Sequence, residues 1–426
     1  MMNRREFFKL ASLAGLTVVP SLSIANQGGY AGTPNPAAYE GAFWIFVNAG
    51  GGWDPTMLCD PKGRANEEEV DPVNMYFKDE ILSAGNIQYA PIGYNDTFFQ
   101  KYYQDLLIIN GIDMQTNGHD SGSRNTWSGR LSEGFPSLAA LIAANFGPEL
   151  PMSYLSFGGY DETAGLVART RAGNVSALGR IAYPERVDPN DADNRFHSVK
   201  AEELIEQART GRQDLQLAKA VLPAENRAMS AMFTARTGSN ELKLLQQYLP
   251  AELANDNELR RQAQVALAAY RAGISISVNL NTGGFDTHGD HDNQHTGRMQ
   301  SLLEGVDAIF QEAELQQVAD NIIVVVGSDF GRTPHYNDTN GKDHWSVTSM
   351  MMMGKGISGN RVIGATTEGF QPRGINPGSL AVDDAGVRIE PQHIHYELRK
   401  LAGVSDNEFA TLFPLVPADP LSGLLS

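Results

Sequence analysis

Four mainly apolar runs leave this chain little choice but a buried, mostly parallel sheet. They are 42–47 (AFWIFV), 106–109 (LLII), 321–326 (NIIVVV) and 347–353 (VTSMMMM), and a further strand reads over 274–280 (ISISVNL). A strand that alternates apolar and polar residues has one wet face; a continuous apolar run has none, and must be covered on both sides. Helical patterns lie between the runs. Ser137 opens a helix that Gly147-Pro148 stops, Thr296 caps one whose apolar face is Met299, Leu302, Leu303, Val306, Ile309, Phe310 and Ala313, and another runs over Pro391–Leu401. Strand alternating with helix implies right-handed crossovers and an α/β fold with helices on both faces of a mostly parallel central sheet. A longer helical stretch, about 197–272, reads as an insertion. Leu242, Leu245 and Leu249 share one of its faces, and Leu259, Ala263, Leu267 and Tyr270 another, closed by Gly273.

The N-terminus reads as an address. Arg4-Arg5-Glu6-Phe7-Phe8-Lys9 is followed by an apolar stretch, Leu10 to Val19, and by Ser23-Ile24-Ala25. A basic start, a short apolar core and a small-x-small end define a secretory signal over residues 1–25. The apolar core is too short to span a bilayer, which takes about 20 residues. The arginine pair resembles a twin-arginine signal, which implies the twin-arginine translocase as a partner and a periplasmic or extracellular destination. Residues 26–41, rich in Gly, Pro and Asn, read as a linker, and 42–426 as a single domain with no later membrane span. With 33 Lys and Arg against 50 Asp and Glu, the net charge is −17, which argues against nucleic acid as a partner. One cysteine, Cys59, excludes an intramolecular disulfide and a cysteine-based zinc site.

Ligands of open parallel sheets gather beyond the carboxyl ends of the strands. The residues just past each predicted strand are Asp54; His119, Asp120 and Ser121; Asp286 and His288; and Ser328 and Asp329, with Asp343 and His344 shortly before the last strand. Five of the nine histidines fall between His288 and His344. Carboxylates and imidazoles collected on one edge suit one or two divalent metals, Zn, Mn, Ca or Mg. Taken singly, an Asp after a strand is equally a turn former or a helix cap.

Gly283-Gly-Phe-Asp-Thr-His288, Ser328-Asp-Phe-Gly-Arg-Thr333 and Asn340-Gly-Lys-Asp-His344, together with the twin-arginine start, resemble the domain-of-unknown-function family fifteen-oh-one. Its members are exported and are predicted relatives of alkaline phosphatases and sulfatases. The resemblance spans about 42–400 and implies an alkaline-phosphatase-like fold, hydrolysis of a small anionic phosphate or sulfate ester, and metal ligands at Asp54, Asp286, His288, Asp329 and His344. It also implies a nucleophile at Ser121, at the head of a helix whose N-terminus favours its ionised form. His119 is the alternative there, as a ligand, with Ser121 then only a cap. Arg332 either grips an anionic substrate through its fork or pairs with a nearby carboxylate. Two departures stand out. Phe330 follows Asp329 where the superfamily has a histidine, and His288 lies close enough to Asp286 that His291 or His295 competes as ligand. A degenerate site implies the alternative of a non-catalytic periplasmic binding or assembly protein.

Three lesser signals are set aside. Cys59-Asp-Pro-Lys-Gly-Arg64 is similar to the sulfatase nucleophile word, but its Arg is one place late and it follows the wrong strand. Met350–Met353 alternate faces of a strand and read as core. Asp188-Pro-Asn-Asp-Ala-Asp193 lacks the Gly and distal Glu of a calcium hand.

Overall fold

A computed structural model describes residue 39, residues 41–148, 150–172, 183–188, 191–219, the single positions 222, 225, 229 and 245, and residues 247–426. The signal over 1–25, nearly all of the linker and Leu242 lie outside the described residues. In chain order the strands are β1 (Phe43–Ala49), β2 (Leu82–Ala84), β3 (Ile87–Tyr89), β4 (Leu107–Asp113), β5 (Tyr154–Ser156), β6 (Arg169–Arg171), β7 (Ser277–Thr282), β8 (Ile322–Ser328), β9 (Gly331–Arg332), β10 (His344–Trp345), β11 (Val347–Gly354) and β12 (Arg361–Ile363).

Eight of them form one sheet in the order β12-β4-β11-β8-β1-β7-β5-β6. The central strand β1 is parallel to both neighbours, β7 and β8, and all seven of its residues are buried. Its side chains alternate: Phe43, Ile45, Val47 and Ala49 enter one core, Trp44 and Phe46 the other. Two cores on opposite faces explain why the run is apolar throughout. Met350–Met353 divide the same way, with Met351 and Met353 on one face and Met350 and Met352 on the other. One side is covered by helices Glu258–Arg271 and His291–Leu315, the other by Leu138–Phe146 and Pro391–Leu401. The helix at Pro391–Leu401 and the Ser137 cap, which accepts from the Ala140 N–H at 3.2 Å, are as the pattern predicts.

Two expectations differ. The helix assigned to a Thr296 cap begins at His291, because His291 and His295 are buried in its first turns and pack polar side chains that no apolar periodicity announces. Within the stretch 197–272, the helix Val199–Leu217 is largely exposed, whereas Glu258–Arg271 buries Leu259, Ala263, Leu267 and Tyr270 against β7 and the His291–Leu315 helix. That second helix is a layer of the main core.

Direction matters most at β11. Among the strands of the main sheet it alone is antiparallel to its neighbours, β8 and β4. It therefore enters the sheet from the edge where the parallel strands end, and this brings His344, just before it, to the same edge as residues that follow β1, β4, β7 and β8.

Candidate metal centre

The chain leaves β1 through Gly50-Gly51-Gly52. Gly51 and Gly52 take φ of +118° and +83°, and a Cβ on either would come within 2.7 Å of the Asp286 nitrogen or 2.4 Å of the Phe330 ring. Only glycine allows so close a pass in that conformation. The turn sends the Gly51 N–H to Asp329 Oδ2 at 3.0 Å, the first of the bonds that order the edge.

His119 is the first residue of the helix His119–Ser128. The helix reaches the end of β8 because Gly122 has no side chain: a Cβ there would lie 2.3 Å from the Asp329 carbonyl oxygen. His119 Nδ1 meets Asp329 Oδ2 at 2.9 Å, and its Nε2 turns to Asp286 Oδ2 at 3.5 Å. His288 Nδ1 meets Asp343 Oδ1 at 2.7 Å, leaving Nε2 3.0 Å from Asp286 Oδ1. His344 Nδ1 meets the Asn117 carbonyl oxygen at 2.9 Å, so it must be the protonated nitrogen, and Nε2 again faces Asp286 Oδ1 at 3.0 Å.

Three imidazoles thus have Nδ1 held by an acceptor and Nε2 aimed at one carboxylate. Holding the outer nitrogen fixes the ring and leaves the inner lone pair for a metal. His119, Asp286 and His344 offer ligand atoms that all lie within 4.8 Å of one another. Phe330, fully buried, forms the floor, its ring centroid 4.9 Å from that of His119 and 4.4 Å from that of His344. Burial alone would raise the Asp286 carboxyl, but the Arg332 guanidinium bonded to it and the imidazoles beside it bring it down to about 2. Burial raises Asp329 above the ordinary carboxylate range, with the bonds from His119 and Gly51 opposing.

Five of the residues singled out from sequence therefore converge: His119, Asp286, His288, Asp329 and His344. Three do not join them as ligand, nucleophile or substrate clamp. Arg332 is fully buried and its fork is engaged, by the Gly51 carbonyl, Gly52 O at 2.8 Å, Lys342 O at 3.0 Å and Asp286 Oδ1 at 2.7 Å. It pairs with the carboxylate rather than reaching outward. Ser121 Oγ is bonded to Thr116 Oγ1 at 2.6 Å and to Gly118 O at 3.1 Å. Asp54 lies in a separate, buried cluster with Lys342 Nζ at 2.6 Å and His291 Nε2 at 3.2 Å. His291 and His295 belong to that cluster, and so leave the open centre to His288. Asp343, named beside His344 at the strand ends, takes part as the partner of His288. One participant escaped the sequence reading: Lys342 had no signal, since a lysine in a loop reads as solvated.

A mixed α/β protein with a histidine–aspartate centre on the carboxyl edge of its sheet is the class that these observations define. Residues 43–410 match the family described as Protein of unknown function (DUF1501), and the chain belongs to that family. No curated protein matches it. Solved structures similar to it include i-CgsB bound to a neocarrahexaose (8% identity, 88% of this chain and 74% of that one, TM-score 0.38). A 2-O GAG sulfatase (11%, 87% and 72%, 0.34) and the alkaline phosphatase of the Antarctic bacterium TAB5 (10%, 76% and 95%, 0.32) are others. Among the described residues no helix is long and apolar enough to cross a membrane.

Proposed function

We propose that this protein is an exported, metal-dependent hydrolase of small phosphate or sulfate esters, with His119, Asp286, His288 and His344 as the ligands of a divalent ion. One observation carries the reading: three imidazoles with their outer nitrogens committed direct their inner nitrogens at a single carboxylate. Nitrogen-rich sets of this kind suit zinc better than calcium, magnesium or manganese, which favour oxygen ligands. A bound ion would polarise the ester and the attacking oxygen. The chain's own residues do the positioning. Asp329 and Asp343 orient His119 and His288, while Arg332 keeps Asp286 ionised and aimed. His119, Asp286 and His288 retain about 40% to 46% of their side-chain exposure, which leaves room for a substrate.

Metal analysis of protein purified without chelator, beside hydrolysis of a panel of phosphate and sulfate esters, tests the reading. About one equivalent of metal and turnover that disappears in Asp286→Asn are expected; less than half an equivalent overturns it. A second reading, a non-catalytic periplasmic binding or assembly protein, is favoured by the engagement of both Ser121 and Arg332 in internal bonds. Retained metal with no hydrolysis on the panel would select it. Export through the twin-arginine route is tested by replacing Arg4 and Arg5 with Lys, which should leave the precursor in the cytoplasm.

A further inference from the structure

Beneath the open centre, the cluster around Asp54 is closed off from water. Asp54, Lys342, His291 and His295 are all fully buried. Four hydrogen bonds close a ring. The Asp54 backbone N–H can only donate, so His295 Nε2, at 2.8 Å, accepts. The His295 proton is then on Nδ1 and goes to Thr287 Oγ1 at 3.1 Å. The Thr287 hydroxyl donates in turn to His291 Nδ1 at 2.7 Å, and His291 Nε2–H returns to Asp54 Oδ2 at 3.2 Å. Both imidazoles are neutral, as burial lowers their basicity. The carboxylate therefore needs a cation from elsewhere. Lys342 Nζ supplies it at 2.6 Å, with Asn74 Oδ1 a further 2.9 Å acceptor and the Tyr336 ring centroid at 5.1 Å.

We infer that the Lys342 ammonium permanently fills a second cation position, so that the protein carries one exchangeable divalent ion and one built-in organic charge. Asp54 Oδ2 and Asn74 Oδ1 hold that ammonium much as hard oxygen ligands hold a metal, with the Tyr336 ring beside it, but a buried ion pair closes the position to exchange. The same residue positions the open centre. Its backbone N–H donates to Thr287 O at 3.1 Å, between Asp286 and His288. Its carbonyl accepts from the Arg332 guanidinium that holds Asp286, and Asp343 and His344 follow it in the chain. Only the exchangeable ion rests on the function proposed above; the Asp54 position stands by itself.

The test counts metal, with Zn²⁺ and Mn²⁺ as probes, by elemental analysis after dialysis and by anomalous diffraction. The intact protein should hold one equivalent, in the His119–Asp286–His344 centre. Lys342→Ala should hold one more, at Asp54, and the added ion should raise its melting temperature by several degrees. Lys342→Ala with Asp54→Asn should lose that extra equivalent. A folded Lys342→Ala that binds no more metal than the intact protein overturns the inference. So does a second ion at Asp54 in the intact protein, a result that needs no variant and decides the matter should Lys342→Ala fail to fold. Zero equivalents in the intact protein, with one gained at Asp54 in Lys342→Ala, would sink the hydrolase reading and leave this inference standing.

Discussion

The Nε2 atoms of His288 and His344 face each other at 3.0 Å. Each ring already has its Nδ1 bonded, to Asp343 and to the Asn117 carbonyl, so the two facing nitrogens are both lone-pair sites unless a ring is charged. Two lone pairs at that distance need a cation between them, a proton or a metal. Zinc at about 100 times its dissociation constant should therefore stabilise the protein by about 2.7 kcal/mol, reversed by chelator. Thermal melts with and without metal measure it.

Asp343 holds His288 from outside the centre and is itself exposed. Asp343→Asn should weaken metal binding about 10–100-fold with little effect on folding stability. Asp286→Asn should remove binding altogether. Competition titration with a chromophoric chelator separates the two.

Gly122 lets the His119 helix touch the end of β8. Gly122→Ala drives a Cβ against the Asp329 carbonyl and should destabilise the protein by about 1–3 kcal/mol while loosening metal binding, since His119 moves with the helix. Urea titration and metal competition report the two effects.

The Asp54–Lys342 pair should reveal itself by non-additivity. Asp54→Asn or Lys342→Met alone strands a buried charge and should cost about 3–5 kcal/mol. The double variant should lose far less than the sum, as expected for groups in direct contact. A double-mutant cycle in denaturant gives the coupling, and additive losses would contradict the pairing.

Acid sensitivity should come in part from His395, which is fully buried and donates from Nε2 to Thr126 O at 2.7 Å. Burial, with help from the Arg399 charge, lowers its pKa to about 4. The folded value lies below the unfolded one, so the unfolded chain takes up the proton first. Stability is full above about pH 6.5 and is lost as pH falls toward 4, by roughly 3 kcal/mol at most. His395→Gln, which keeps a donor but cannot titrate, should flatten the stability profile over that window.

The strands were readable because burial on both faces leaves an apolar run that local sequence cannot hide. Their ends pointed to the right edge, and His119, Asp286, His288, Asp329 and His344 were legible there because each follows or precedes such a run. The start of the His291 helix was not, since polar residues buried for their hydrogen bonds look like a loop. Nor was the partner of Asp54, which pairs with a lysine 288 positions away.

Sequence alone determined which segments are buried strands and which polar residues lie at their ends, because hydrophobic periodicity is a local property of the chain. Tertiary structure alone decided the reversed direction of β11 and the division of the carboxylates. Asp54 went to Lys342, Asp286 to Arg332 and the imidazoles, and Asp329 to His119 and Gly51. A buried charge is settled by whichever opposite charge or donor the packed chain brings within about 3 Å, and no pattern along the sequence encodes that competition.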